Sequence, residues 1–335
     1  MVTIKEITSR DEWDAFLYRH SPNALFQSWL WGNLQVKLNV PIWRFGLYEG
    51  DMLRGVALII KVAARRGTFL HIRHGPILDT TDKELWKWYF GEMKNLAKKE
   101  DACFVRINPL IENSSDRQKL FRLLGLVPAA IHAMDAEYTW VLPLDKNEDA
   151  LLPGMRKSTR YEIRRAISAG VSVEKTTDPG QLKCFFRLYD ETMKRQDFVP
   201  PGGIAEEFEL FAKEGKAMLL LGSHQNRISA AAIILFDGNQ AIYHYGASVR
   251  SDAGVSSLVQ WEAIKEANNR GCLLYNFWGI APDDKKNHPW RGITLFKTGF
   301  GGHVAESIHA HDLPVSPFYV IPRAIETWRR WRKGY

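Results

Sequence analysis

The sequence predicts an α+β protein made of two similar halves, and its length and an internal repeat are the observations that predict it. The chain has 335 residues, more than a single hydrophobic core usually organises, so two domains are expected. Residues 43–78 and 218–248 repeat one pattern of antiparallel strands separated by explicit turn signals. A repeat of this size indicates a duplicated domain.

The elements after these strands repeat as well. An amphipathic helix follows, then a short apolar strand, then a short helix that ends at glycine. In the two halves the amphipathic helix occupies 82–100 and 256–271, and the last step occupies 119–129 and 295–305. This order is that of the GCN5-related N-acetyltransferase (GNAT) fold. The sequence therefore predicts a tandem duplication of GNAT-like domains, each a mixed sheet flanked by helices.

The boundary between the halves is predicted in the polar stretch 144–152. We expect a first domain over residues 1–147, completed by a C-terminal helix over 316–335, and a second domain over 148–315. The basic stretch 154–170 is predicted to be the helix that opens the second domain, because Gly170 is a natural helix stop.

Composition excludes several classes of protein. With 45% hydrophobic and 25% charged residues, the chain is typical of a folded soluble protein. No stretch reaches the roughly 18 apolar residues that span a bilayer, and the N-terminus lacks the apolar core of a signal peptide. The three cysteines show no CxxC spacing, which indicates a reducing compartment and no metal site. We expect a cytoplasmic protein that uses no metal and no other cofactor.

The net charge of +7 is concentrated in two segments, residues 155–165 and 323–335. Such clusters suit a polyanionic partner, which could be a nucleic acid, an acidic lipid or a phosphate-bearing substrate. The alternative is that both are solvated helix faces. In the first segment, spacings of four and five put four arginines largely on one side: Arg156, Arg160, Arg164 and Arg165.

The familiar catalytic motifs are missing from the sequence. There is no GxSxG, no GxxxxGK[ST], no HExxH and no paired carboxylates on an apolar background. The pyrophosphate loop of a CoA-dependent acetyltransferase has only a degraded match, in Arg250, Ala253 and Gly254. The remaining chemical candidate is Lys297, which lies among aromatic and glycine residues. A partly buried cation there would stabilise an oxyanion in acyl transfer, whereas the alternative is a lysine that reaches solvent.

Several segments together resemble the FemABX family, the nonribosomal peptidyltransferases that build peptidoglycan side bridges. They are MRKSTRYEIRRAISAGVSVE, YHYGAS, LYNFWGIAPDDKKNHPWRGITLFKTGFGG, FQSWLWGNLQ, RHGPIL, VRINPLI and GLVPAAIHAMDAEYTWVLPL. The resemblance covers essentially the whole chain. It implies transfer of an aminoacyl group from aminoacyl-tRNA to the stem-peptide amine of lipid II or UDP-MurNAc-pentapeptide. It also implies aminolysis of an activated ester, which needs positioning and oxyanion stabilisation more than a nucleophilic side chain.

The resemblance further implies the residues of the site. It implies catalytic roles for Lys297 and Asn108, substrate contacts for Trp31, Gln35, Lys37, Arg106, Tyr245 and Trp278, and tRNA contacts for Arg156, Lys157, Arg160, Arg164 and Arg165. The basic helix suits backbone phosphates, whose contacts depend on salt. A basic flap is expected at 285–290, beside the cleft for the acceptor end.

The chain departs at three places from the family members that use a nucleotide-linked precursor. Gln35 replaces a lysine, Pro200 and Pro201 stand near the place of an arginine, and Asn108 replaces an aspartate near the acceptor amine. These departures favour lipid II over UDP-MurNAc-pentapeptide. Asn108 can accept a hydrogen bond from the amine but cannot take its proton. The short stretch after Gln196 leaves no room for the coiled-coil arm that some members carry.

The C-terminal helix mixes Trp328 and Trp331 with cations. We expect it to pack on the first half with a basic outer face, while contact with tRNA or with anionic lipid at the inner face of the membrane stays open. Two other functions also stay open. One is CoA-dependent N-acetylation of a sugar or polyamine, and the other is noncatalytic binding of RNA or lipid.

Overall fold

A computed structural model describes residues 2–65, 67–79, 82–131, 135, 137–144, 148–196, 201–249, 253–282 and 288–333. The chain divides into two compact units. The first contains residues 1–138, 281–289 and 305–335, and the second contains 139–280 and 290–304.

Each unit contains runs of consecutive strands and the helices that flank them. The helices are α1 Arg10–His20, α2 Trp29–Lys37, α3 Lys83–Lys99, α4 Ser115–Leu123, α5 Glu148–Gly154, α6 Lys157–Ser168, α7 Leu182–Gln196, α8 Ile204–Lys213, α9 Val255–Asn269, α10 Arg291–Thr298 and α11 Val320–Lys333. The strands are β1 Val2–Glu6, β2 Ile42–Glu49, β3 Met52–Ala64, β4 Gly67–His74, β5 Ile77–Leu78, β6 Phe104–Pro109, β7 Val127–Pro128, β8 Tyr138–Pro143, β9 Ser172–Thr176, β10 Ala217–His224, β11 Arg227–Asp237, β12 Gln240–Ser248, β13 Leu274–Gly279, β14 His303–Glu306 and β15 His311–Pro314.

The first unit is built on a mixed sheet in the order β1-β2-β3-β4-β6-β15-β7, with β5 paired to β3. Strands β4 and β6 run parallel, and their side chains alternate between two faces. One face sends Leu70, Ile72 and Val105 into a core that also contains Trp86 and Tyr89 of α3. The other face carries the polar side chains of His71, Arg73 and Asn108.

The second unit is built on a sheet in the order β14-β8-β13-β12-β11-β10-β9. Strand β11 is buried over most of its length, and its Ala230, Ala232 and Ile234 share one core with residues of α9. Helix α9 begins after Gly254, whose φ of +70° and close approach to the Glu162 carbonyl leave no room for a side chain. Strands β12 and β13 run parallel, as β4 and β6 do in the first unit.

Each sheet receives one strand from the other half of the sequence. Strand β8 lies between β13 and β14, and β15 lies between β6 and β7. The predicted α+β fold with two GNAT-like sheets is thus confirmed. The boundaries differ from the predicted 147/148 and 315/316, because the pairing of β8 ends the first segment at 138 and the pairing of β15 brings 305–315 into the first unit.

The C-terminal helix α11 belongs to the first unit and turns Glu326 inward, where the carboxylate binds the buried Arg106. Its opposite face exposes Val320, Trp328 and Trp331. The outer side also exposes Arg329, Arg330 and Arg332, so it combines basic residues with an apolar stripe that the sequence analysis did not expect. Within the described residues, no helix has both the length and the apolar character that crossing a bilayer requires.

Candidate functional site

Lys297 lies in the last turn of α10 and is only 7% exposed. Its ammonium donates a hydrogen bond to the carbonyl oxygen of Gly279 at 2.6 Å, and the Tyr243 ring centroid lies 6.0 Å from the Nζ atom. Burial lowers the pKa of Lys297 to about 7. The second unit therefore holds a buried lysine whose pKa lies near neutral pH.

The end of β13 shapes the surroundings of this lysine. The strand loses regular pairing between Asn276 and Gly279, and Trp278 adopts a φ of +66°. The Asn276 side chain stabilises this irregular backbone, because its Oδ1 accepts the Trp278 N–H at 2.8 Å while its Nδ2 donates to Gln240. Bulges of this kind redirect side chains near functional sites. Here the irregular segment ends at the carbonyl that Lys297 contacts.

Tyr245 and Trp278 are brought together around a buried carboxylate. Tyr245 donates to Oε2 of Glu207 at 3.0 Å, and Nε2 of His244 lies 3.1 Å from the other oxygen. The His244 ring in turn meets Trp278 edge-on, with centroids 5.2 Å apart. The sequence analysis missed Glu207 and His244. The signal for Glu207 was its helical spacing, because it shares the buried face of α8 with Ile204, Phe208 and Phe211.

The basic helix α6 begins beside the helix that carries Lys297. Arg156 donates to the carbonyl of Leu295 at 2.9 Å and to the hydroxyl of Thr298 at 3.0 Å, and its own N–H donates to the carbonyl of Gly299. Arg160 turns back to the carbonyls of Pro153 and Met155. These two arginines therefore join α6 to its neighbours.

Three other cations predicted to contact tRNA have exposed side chains. They are Lys157, Arg164 and Arg165. Helix α6 thus presents charge to solvent at both ends, while its first residues fix it against α10.

In the first unit, the polar face of the sheet gathers charged side chains around Asp135. Arg73 donates to Oδ1 of Asp135 through Nε at 3.0 Å and also through Nη2. Asn108 donates to Oδ2 at 3.2 Å, and Nε2 of His71 lies 3.6 Å from the same oxygen. His74 contacts the main-chain oxygen of Asp135 at 2.9 Å. One carboxylate thus organises two neighbouring strands.

The electrostatics of this cluster fix the charge of its members. Burial alone would raise the pKa of Asp135, but Arg73 and His71 outweigh it and lower that pKa to about 2. Burial lowers the pKa of His71 to about 3, so its imidazole is neutral near pH 7. The cluster therefore contains an ionised aspartate paired with an ionised arginine.

Asp135 also fixes the direction of the Asn108 amide. A carboxylate only accepts hydrogen bonds, so the NH₂ group faces it and Oδ1 points away. That oxygen is buried and accepts no hydrogen bond from the described residues. The Asn108 amide also lies close enough to His71 to raise the pKa of that imidazole against the larger effect of burial.

Trp31 belongs to the same cluster. The Arg73 guanidinium lies 3.4 Å above the Phe26 ring centroid and 5.4 Å from that of Trp31. The structure therefore brings Trp31 and Asn108 together through Arg73 and Asp135. Gln35 and Lys37 lie further along α2, the first half-buried and the second exposed.

Arg106 has a different role from the predicted substrate contact. It is 3% exposed, and its guanidinium donates to both oxygens of Asp312 and to both oxygens of Glu326. Burial alone would lower the pKa of Arg106, and the two carboxylates raise it instead. Arg106 fastens β15 and α11 to β6, and four of its five N–H donors already bind these two carboxylates.

Some predicted positions lie outside the described residues. They are Arg250, Pro200 and residues 285–287 of the expected basic flap. Sequence reasoning missed Asp135 and Arg73, although both stand in segments that carry the family resemblance. No local pattern marks Asp135, which occupies a loop with a φ of +52°.

Comparison with known proteins gives one family and a consistent set of relatives. The model of the FemAB family matches residues 8–200 and 209–327. A lipid II:glycine glycyltransferase of Staphylococcus aureus (strain USA300) is 24% identical over 392 aligned residues that cover 93% of each chain. The crystal structure of FemX has a TM-score of 0.82 at 21% identity and covers 97% of this chain and 100% of that one. A tandem GNAT protein from the clavulanic acid biosynthesis pathway has a TM-score of 0.59 at 12% identity, covering 95% and 99%. The structural likenesses bear on the fold.

Proposed function

The chain belongs to the FemAB family of acyltransferases, and from that premise we propose that it transfers an amino acid from aminoacyl-tRNA to the stem-peptide amine of lipid II. The curated relatives are named for transfer of glycine to lipid II, so glycine is the first amino acid to test. The observation that carries the proposal is Lys297, a buried cation that one main-chain carbonyl holds at 2.6 Å.

Lys297 supports the acyl-transfer chemistry. In aminolysis the acceptor nitrogen attacks the ester carbonyl, whose oxygen gains negative charge in the tetrahedral intermediate. Collapse then releases the ribose hydroxyl of the tRNA, which regains a proton while the new amide loses one. A cation in a water-poor site stabilises that oxygen strongly, because little dielectric screening intervenes. A pKa of about 7 also lets Lys297 exchange a proton with the departing oxygen.

The Asp135 cluster supports recognition of the acceptor amine in the first unit. Asn108 Oδ1 offers a buried acceptor for one N–H of the amine, and Asp135 keeps the amide turned so that this oxygen stays available. Asp135 is therefore proposed as a positioning residue. It supplies a carboxylate beside the position where the family pattern has an aspartate and this chain has Asn108.

The basic helix supports contact with the tRNA. The exposed Lys157, Arg164 and Arg165 offer charge to backbone phosphates, and Arg156 ties the start of that helix to α10. The residue before α6 provides no side-chain cap for its first N–H groups. Such a helix start favours negative charge. The exposed cations of α6 and Lys297 of α10 thus lie on two helices of the second unit that contact each other through Arg156.

The proposal is tested by incubating the purified protein with glycyl-tRNA and lipid II in detergent micelles. Mass spectrometry of the stem peptide should find added glycine, and UDP-MurNAc-pentapeptide supplied in parallel should react more slowly. Other aminoacyl-tRNAs then establish which amino acid is preferred. If no aminoacyl-tRNA supports transfer while acetyl-CoA is turned over with an amine, the protein is instead a CoA-dependent N-acetyltransferase.

A further inference from the structure

The last helix of the chain exposes an apolar face to solvent. Val320, Ala324, Trp328 and Trp331 follow one another at helical spacing and form a single stripe. Trp331 is 80% exposed and Trp328 is 53% exposed. Phe318, in the short turn before the helix, is exposed as well. We call Phe318 and this stripe of α11 the aromatic ridge.

The ridge is fixed on a rigid base. The opposite side of α11 carries Pro322 and Glu326, both buried, and Glu326 binds the buried guanidinium of Arg106. Arg323 donates to the main-chain oxygen of Pro128. The fold therefore holds the helix by its polar inner side and presents tryptophans outward, the reverse of an ordinary surface helix.

Arginines border the ridge on both sides. Arg332 lies 5.5 Å from the Trp328 ring, while Arg323 and Arg330 lie across the stripe from it on the helical wheel. The acid of this helix, Glu326, is turned inward and neutralised by Arg106, so the outward side is purely cationic among the described side chains. Exposed tryptophan next to unpaired positive charge suits one environment, the headgroup layer of an anionic bilayer.

We propose that the aromatic ridge docks the protein on an anionic lipid surface. The tryptophans enter the layer between headgroups and acyl chains, and the exposed Arg330 and Arg332 lie among the lipid phosphates. The ridge favours lipid over RNA because a nucleic-acid backbone would leave the apolar stripe in water. It favours lipid over a protein groove because the cations stand on both edges of the stripe. This surface binding stands apart from the proposed reaction, since it requires neither tRNA nor acceptor.

The test measures co-sedimentation of the full chain with vesicles that contain no peptidoglycan precursor. Vesicles of phosphatidylcholine mixed with phosphatidylglycerol should bind the protein, and vesicles of phosphatidylcholine alone should bind it at least about tenfold more weakly. Brominated lipids in the anionic vesicles should quench tryptophan fluorescence. The double variant Trp328→Ser/Trp331→Ser should weaken binding by about tenfold or more and remove most of that quenching.

Matched variants separate the ridge from general surface effects. Leu123→Ser removes an equally exposed apolar side chain from α4 and should bind vesicles like the wild type. The charge reversal Arg330→Glu/Arg332→Glu should weaken binding to anionic vesicles, and Lys98→Glu/Lys99→Glu on α3 should not. Circular dichroism establishes that each variant is folded.

Two results would overturn the inference. One is wild-type protein that stays in solution with anionic vesicles at low salt. The other is a Trp328→Ser/Trp331→Ser variant that binds vesicles normally. Loss of tRNA binding by that variant, with vesicle binding unchanged, would assign the ridge to RNA instead. Transfer to acceptor in detergent reports on the proposed function separately, and the ridge variants should retain it.

Discussion

Arg106 in the first unit and Lys297 in the second are both buried cations, but their partners differ. Arg106 spends its donors on the carboxylates of Asp312 and Glu326, whereas Lys297 has one carbonyl, that of Gly279. The carboxylates raise the pKa of Arg106 against the effect of burial, and burial lowers the pKa of Lys297 to about 7. A fully paired cation stabilises the fold. A lysine that receives one carbonyl and an aromatic ring from the described residues has no carboxylate there to neutralise it, so a substrate can use its charge and its proton.

The largest effect is expected from breaking the paired cation. Arg106→Met leaves two carboxylates buried without their cation and should lower the free energy of unfolding by about 3–5 kcal/mol. Urea denaturation measures this, with Arg117→Met as the control, because the Arg117 ion pair to Glu112 is exposed to solvent. A loss below 1 kcal/mol would show that the buried network contributes little to stability.

Substitution of Lys297 should instead lower the rate of aminoacyl transfer. Lys297→Met should lower kcat by about a hundredfold to a thousandfold while the protein stays folded. Steady-state kinetics with saturating aminoacyl-tRNA and acceptor measure it, and Lys213→Met, an exposed lysine of α8, serves as control. Normal turnover in the Lys297 variant would remove this residue from the mechanism.

The lowered pKa of Lys297 also makes a signed prediction for stability. Between pH 7 and the ordinary lysine range the unfolded state binds a proton that the folded state has lost, so stability should rise with pH. The wild type should gain up to about 1.4 kcal/mol per pH unit over Lys297→Met across this window, and the difference should level off below pH 7. Urea titrations at several pH values measure it. Parallel curves for the two proteins would contradict the shift.

A variant of Asp135 tests whether a carboxylate that is paired with Arg73 also contributes to binding of the acceptor. Asp135→Asn releases the Asn108 amide from its fixed direction and should raise the KM for acceptor by about tenfold to a hundredfold. The KM for aminoacyl-tRNA should stay unchanged, a separation that general destabilisation would not produce. The control is Asp116→Asn, which alters an exposed ion pair on α4. Equal changes in both KM values would assign Asp135 to the fold alone.

The smallest effect is expected at the exposed end of α6. Arg164→Glu/Arg165→Glu should weaken tRNA binding several-fold and reduce its dependence on salt by about one ion per lost phosphate contact. Fluorescence anisotropy over a series of salt concentrations measures both quantities. The matched reversal Lys183→Glu/Arg187→Glu on α7 should leave them unchanged. Identical salt slopes for all three proteins would return α6 to an ordinary solvated surface.

Local patterns account for what the sequence predicted well. The strand runs, turn signals and helix stops that predict β2–β4 and β10–β12 are properties of neighbouring residues, and the aromatic and glycine residues around Lys297 lie beside it in the chain. The errors come from distant pairing. The partners of Arg106 lie 206 and 220 residues away, so its sequence neighbours gave no sign that its donors are taken. The role of Asp135 likewise depends on the parallel pairing of β4 and β6, which places its two partners Arg73 and Asn108 side by side.

The exchange of β8 and β15 sets the order in which the chain can fold during synthesis. The second sheet uses strands from one continuous stretch, β8 to β14, so all of its strands are made before β15. The first sheet must wait, because β15 enters between β6 and β7 and is made after every strand of the second sheet, and the carboxylates for Arg106 arrive with β15 and the helix after it. The half that is made first is therefore finished last, and a prematurely terminated chain leaves a buried arginine without its anions.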